Sequence, residues 1–127
     1  MILGPVLHPE ILNIKKNNNT ILLTLKIPEN LAYLEGHFAN SPLVPGVVQL
    51  HWSVIYGRQY FKLNTTASSL EVAQASQIKF SHPIFPKREI LLTLNHHPEK
   101  KTITFDYTSE KTDGTDISHS KGKFQYV

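Results

Sequence analysis

The stretch that decides the fold runs Pro45-Gly-Val-Val-Gln-Leu-His-Trp-Ser-Val-Ile-Tyr-Gly-Arg-Gln-Tyr-Phe61. Pro45 and Gly46 suit the start of a helix. After them Val47, Val48, Leu50, Trp52, Val54, Ile55 and Tyr56 cover nearly every direction around a helical axis. A helix that is apolar all round is buried rather than laid on a surface. The β-branched residues would also suit a strand, and periodicity alone leaves both open. The length of the run favours a helix.

On both sides of this segment the pattern changes to alternation. Thr20 to Ile27 places Ile21, Leu23, Leu25 and Ile27 on one face, as a half-buried strand does, and Pro28 ends it. Asn17-Asn18-Asn19 before it is a turn between two apolar runs. Downstream, Val72 to Phe80 sets Ile78 and Phe80 against Gln77 and Lys79. Glu89 to Asn95 aligns Ile90, Leu92 and Leu94, and Thr102 to Thr108 aligns Ile103, Phe105 and Tyr107. Asp113-Gly114 signals a hairpin into a last strand ending at Phe124 and Tyr126. Short spacings without intervening helices predict an antiparallel sheet. The expectation is an α+β domain spanning residues 1–127, with about five or six strands wrapped around one long central helix. A helix in so small a fold needs a second subunit to complete its burial, so a homodimer is expected.

Composition narrows the function classes. The 127 residues contain no cysteine, which excludes disulfides, thiolate nucleophiles and cysteine zinc sites. The formal charge is +3 and the pI near 9.2, but the lysines are scattered and form no stripe of the kind that binds nucleic acid. A mildly basic face also suits an acidic protein partner. The first residues lack the basic leader of a signal peptide, and the nearly uncharged Ser41–Gly57 stretch is too short for a bilayer. The chain reads as soluble and cytoplasmic.

The residues with chemical potential precede and enter the helix: Glu35-Gly-His-Phe-Ala-Asn-Ser-Pro-Leu-Val-Pro-Gly46. His37 falls on a loop rich in Gly and Pro, where reactive groups are often held. Gly46 opens the helix, whose first N–H groups lack partners within it and attract negative charge. A base beside such an oxyanion site is what proton abstraction next to a carbonyl needs. His51, five residues on, leaves the helix on a different side from Gly46. Residue type alone favours a plainer reading, in which a loop histidine is a surface or capping group and a helix histidine a hydrogen-bonded core residue. His96-His97 invites a metal reading, but adjacent strand residues point to opposite faces. Glu71 and Asp106 read as solvated carboxylates, and Ser41, Ser53 and Ser81 lack a nucleophile-elbow setting.

The segment Gly36-His37-Phe38, then Pro42, Pro45-Gly46-Val47 and Leu50, resembles the signature of the bacterial 3-hydroxyacyl-ACP dehydratases. Ile27-Pro28-Glu29-Asn30 and Gln77 to Pro86 resemble flanking parts of the same family, and the likeness runs from about residue 9 to the end. It implies a hot-dog dimer that uses no diffusible cofactor and no metal. His37 would remove the C2 proton of a 3-hydroxyacyl thioester carried on an acyl carrier protein. Gly46 would donate its N–H to the thioester carbonyl, with Phe38 and Val47 as the neighbouring substrate-binding positions. The family's acid, which protonates the departing hydroxyl from the opposite subunit's helix, is replaced here by His51. Ala39 replaces a proline, and Ile55 stands where many members have glutamine. An imidazolium can donate a proton as a carboxylic acid does. The aryl-polyene dehydratases are the subgroup this variant most resembles. Two other functions fit the fold. A hot-dog thioesterase commonly has a helix carboxylate, absent between Gly46 and Phe61. A non-catalytic acyl- or carrier-binding module would account for the missing family acid.

Overall fold

The computed structural model describes residues 8–29, 43–63, 72–111 and 113–126. In chain order the elements are β1 (Glu10–Asn17), β2 (Thr20–Lys26), α1 (Gly46–Tyr60), β3 (Val72–Phe80), β4 (Glu89–His97), a 3-10 turn (Pro98–Lys100), β5 (Thr102–Glu110) and β6 (Asp116–Tyr126). Every strand pairing is antiparallel, in the order β1-β2-β4-β5-β6-β3. The α+β expectation is met: the described residues form one α-helix and one six-stranded antiparallel sheet.

The alternation in the sequence becomes the inner face of the sheet. Ile21, Leu23 and Leu25 of β2, Ile90, Leu92 and Leu94 of β4, and Ile103, Phe105 and Tyr107 of β5 are buried with Phe124 of β6. Ile27 continues that face one residue past β2, exchanging backbone hydrogen bonds with Arg88 and Lys87 at 3.0 and 2.8 Å. Against this face α1 buries Val48, Gln49, Trp52, Ser53, Tyr56 and Gly57. Packing at Gly57 is close: a Cβ there would lie 3.0 Å from the Ile103 Cδ1 atom, which would have to give by a few tenths of an ångström. Trp52 is wholly core.

The helix is not buried all round, as its composition suggests. Val47 is 73% exposed, and His51 and Gln59 also face outward. The remaining residues of α1 are buried or half-buried, so what stays open is a strip of the helix rather than a whole face. Between β2 and β3 in sequence, α1 packs on the sheet's apolar face, and β3 lies beside β6 at the sheet edge farthest from β1. This arrangement brings the start of α1 and the end of β3 together.

Candidate active site

The site begins with the first turn of α1. Pro45, with φ −60° and ψ 147°, is extended and directs the chain into the helix. Pro45 offers this end no side-chain cap, and the first turn carries no acidic residue. The amides of Val48 and Gln49 both return to the Pro45 carbonyl, at 3.1 and 3.2 Å. The amides of Gly46 and Val47 come earlier still, where a helix offers its own N–H groups no carbonyl. The result is an electropositive peptide edge.

A cleft of about 350 Å³ opens at that edge. Leu43, Val44, Gly46 and Gln49 form one wall and Phe80 to Pro83 the other. The Phe80 ring lies directly over Gly46, where an added Cβ would fall 2.6 Å from the ring's Cζ. The ring could not hold this position against any residue with a Cβ at the helix start. Phe80 is itself 56% exposed, so this ring belongs to the cleft's rim rather than to the core.

Buried hydrogen bonds fix the first wall. The Val44 amide donates to the Ile84 carbonyl at 2.9 Å, tying the two walls together at their base. Gln49, only 3% exposed, donates from Nε2 to the Val44 carbonyl at 3.1 Å. Its Oε1 accepts from the Ser120 hydroxyl of β6 at 2.5 Å. Its backbone carbonyl accepts from the Tyr107 hydroxyl at 2.7 Å, with Ser53 Oγ 2.9 Å from that carbonyl and 3.1 Å from the Tyr107 oxygen. Burial drives the Tyr107 phenol well above its ordinary pKa, so it stays protonated and donates. Gln49, Ser53, Tyr107 and Ser120 were missed in the sequence because a polar residue in an apolar run carries no sign of its partner.

The residues singled out earlier fall in three places. Gly46 lines the cleft. Val47 and His51 do not; both face outward from the open side of α1. His37 and Phe38 lie outside the described residues, as do Ser41 and Glu71. Among the described residues, Gly46 supplies the peptide edge at the cleft, and His51 is exposed on α1 outside it.

Other expectations need adjustment. Asp106 is not simply solvated: its Oδ1 is buried without a hydrogen-bond partner among the described residues. Burial raises its pKa, against the lowering effect of Lys121. Ser53 is buried in the Gln49 network, whereas Ser81 lines the cleft. His96 has Nε2 2.6 Å from the Tyr126 hydroxyl and its ring 4.8 Å from that of Phe61, so it is engaged within the fold. Among the described residues no group of three or more His, Asp or Glu side chains could hold a metal ion. No described helix is long and apolar enough to cross a membrane.

Comparison with known proteins extends the resemblance over the chain. The model of the ApeI-like family, described as ApeI dehydratase, matches residues 13–123. An uncharacterised protein from Erwinia carotovora subsp. atroseptica is 31% identical, with a TM-score of 0.75, over 94% of this chain and 95% of that one. The dehydratase heterocomplex ApeI:P from Xenorhabdus doucetiae matches with a TM-score of 0.77 and 24% identity, over 95% of this chain and 99% of that one. The dehydratase domain from the CurK module of curacin polyketide synthase has a TM-score of 0.62 at 22% identity, over 98% of this chain but 44% of that one. The last two likenesses show the fold alone, and the fold is the hot-dog. Curated proteins yield no match.

Proposed function

The chain belongs to the ApeI-like dehydratase family, and from that membership we propose that it converts a (3R)-hydroxyacyl thioester on an acyl carrier protein to the trans-2-enoyl form. The observation that carries this reading is the start of α1 at Gly46, without a side-chain cap among the described residues, opening on a cleft in a chain with that family's motif. An amide at this edge can hold the thioester oxygen as negative charge develops on it. His37, nine residues before Gly46 in a Gly- and Pro-rich stretch of sequence, takes the C2 proton on a ring nitrogen. The electrons of that C–H bond pass into the enolate held at Gly46. They then form the C2–C3 double bond as the C3–O bond breaks. The leaving hydroxyl takes a proton from an imidazolium and departs as water.

His51 is the proposed source of that proton, delivered by a second copy of the chain. The outward aim of His51 supports this, since its own protomer's cleft does not contain it. The open side of α1, with Val47 largely bare, is the surface a second subunit would cover. The Xenorhabdus ApeI protein is found in a heterocomplex; here we favour pairing of like chains, tested by mass measurement of the purified protein in solution. A pathway to aryl polyenes is proposed on the family match.

The test is product analysis by mass spectrometry on a panel of 3-hydroxyacyl-ACPs, one of them aryl. Loss of one water with the thioester intact is expected. Release of free acid would indicate a thioesterase, and binding without turnover a carrier-binding module.

A further inference from the structure

The second wall of the cleft is held by a residue of β6 that the dehydration scheme does not use. Thr108 pairs with Ser118 and Tyr107 with Ser120, so β6 has one extra residue, His119, at a bulge. A bulge re-aims a side chain out of the regular alternation. The His119 carbonyl accepts from the amides of Ser81 at 2.9 Å and His82 at 3.3 Å. Its ring is buried and reaches the same segment: Nδ1 lies 3.0 Å from the Pro83 carbonyl and 3.2 Å from that of His82. Nε2 lies 2.6 Å from the Ser109 hydroxyl of β5.

These partners place a hydrogen on Nδ1, because carbonyl oxygens only accept. The Ser109 hydroxyl can donate to Nε2 or accept from it, so this contact is satisfied in either charge state. Burial disfavours the charged ring. A Ser–His pair of this length also resembles a nucleophile and its base, but Ser109 does not line the cleft. What the ring does reach is the backbone of His82 and Pro83, which lines it. A second strap runs beside it, from His82 Nδ1 to the Ser118 carbonyl at 3.0 Å.

We propose that His119 is a positioning residue: an imidazole whose Nδ1–H clamps the Ser81–Pro83 wall to β6 and so sets the width of the cleft over Gly46. The inference rests on reading that cleft as the acyl site, and assigns its substrate affinity in part to a residue outside it. The clamp is made in free and bound enzyme alike, so its loss weakens ground state and transition state together.

Two substitutions separate the ring's halves. His119→Asn keeps an N–H donor near the Nδ1 position, while His119→Gln reaches toward Ser109 and abandons the Pro83 carbonyl. The KM for a 3-hydroxyacyl-ACP is expected to rise about tenfold in His119→Gln and to stay near the parent value in His119→Asn, with kcat little changed in both. A role in stability alone would lower the active fraction, and hence apparent kcat, and leave KM unmoved. Amide exchange at Ser81 and His82, which needs no turnover, should be about tenfold faster in His119→Gln only. Unchanged exchange in His119→Gln overturns the clamp, whether or not the parent protein dehydrates anything. Faster exchange with an unmoved KM overturns the positioning role.

Discussion

Replacing Gln49 with leucine removes a buried amide of similar size and strands two groups it now satisfies. The Val44 carbonyl loses its donor at 3.1 Å and the Ser120 hydroxyl its acceptor at 2.5 Å, both in a region closed to water. Each buried polar group left unpaired costs about 1–3 kcal/mol. The added apolar surface offsets about 1 kcal/mol of that. The expected loss for Gln49→Leu is therefore about 1–5 kcal/mol, read from urea unfolding at fixed protein concentration. Adding Ser120→Ala removes one stranded hydroxyl, so the double variant should be less unstable than the sum of the singles, with a coupling of about 1–2 kcal/mol. Because Val44 enters the cleft wall and precedes Gly46, Gln49→Leu should also reduce dehydration per folded molecule. A Gln49→Leu protein within about 0.5 kcal/mol of the parent, or strictly additive singles, would refute the network.

His51→Ala is expected to lower kcat by about 10²-fold or more, as loss of a general acid does, with His51→Glu recovering part of the rate; an unaffected His51→Ala would remove this residue from the chemistry. Trp52→Ala empties a fully buried site and should cost about 3–5 kcal/mol in the same unfolding assay. The folded-state pKa values of His119 and His96 lie below the ordinary 6.5, mainly through burial. The unfolded chain therefore binds more protons, and stability present above pH 6.5 should fall as pH drops below it. His119→Asn should flatten that fall, and a parent stability that rises on acidification through this range would contradict both assignments.

The alternating strands were legible because one buried face imposes period two, and Ile21, Leu23, Leu25 and Ile103, Phe105, Tyr107 show it without interruption. The helix was legible from its length and from Pro45-Gly46 at its head. Its orientation was not: an apolar-all-round sequence hides which part this protomer covers, and so it hides why Val47 and His51 face outward. The order of strands was also out of reach, since placing β3 beside β6 depends on where α1 deposits the chain. Least visible were the polar anchors. Gln49 meets Tyr107 and Ser120 across 58 and 71 residues, and His119 reaches Pro83 across 36. The bulge that aims His119 changes the strand's parity locally, and residue type does not announce it. Gly46 was the exception, because a helix start advertises its unpaired amides in its sequence.

The central claim is that an imidazole at position 37 takes the C2 proton while the Gly46 edge holds the oxygen. A 3-hydroxyacyl-ACP carrying deuterium at C2, given in turn to the parent protein and to His37→Ala, tests this by mass spectrometry. The account predicts an enoyl product from the parent that has lost one C2 deuteron together with the hydroxyl, and no product from a folded His37→Ala. Enoyl product from His37→Ala at the parent rate would contradict it.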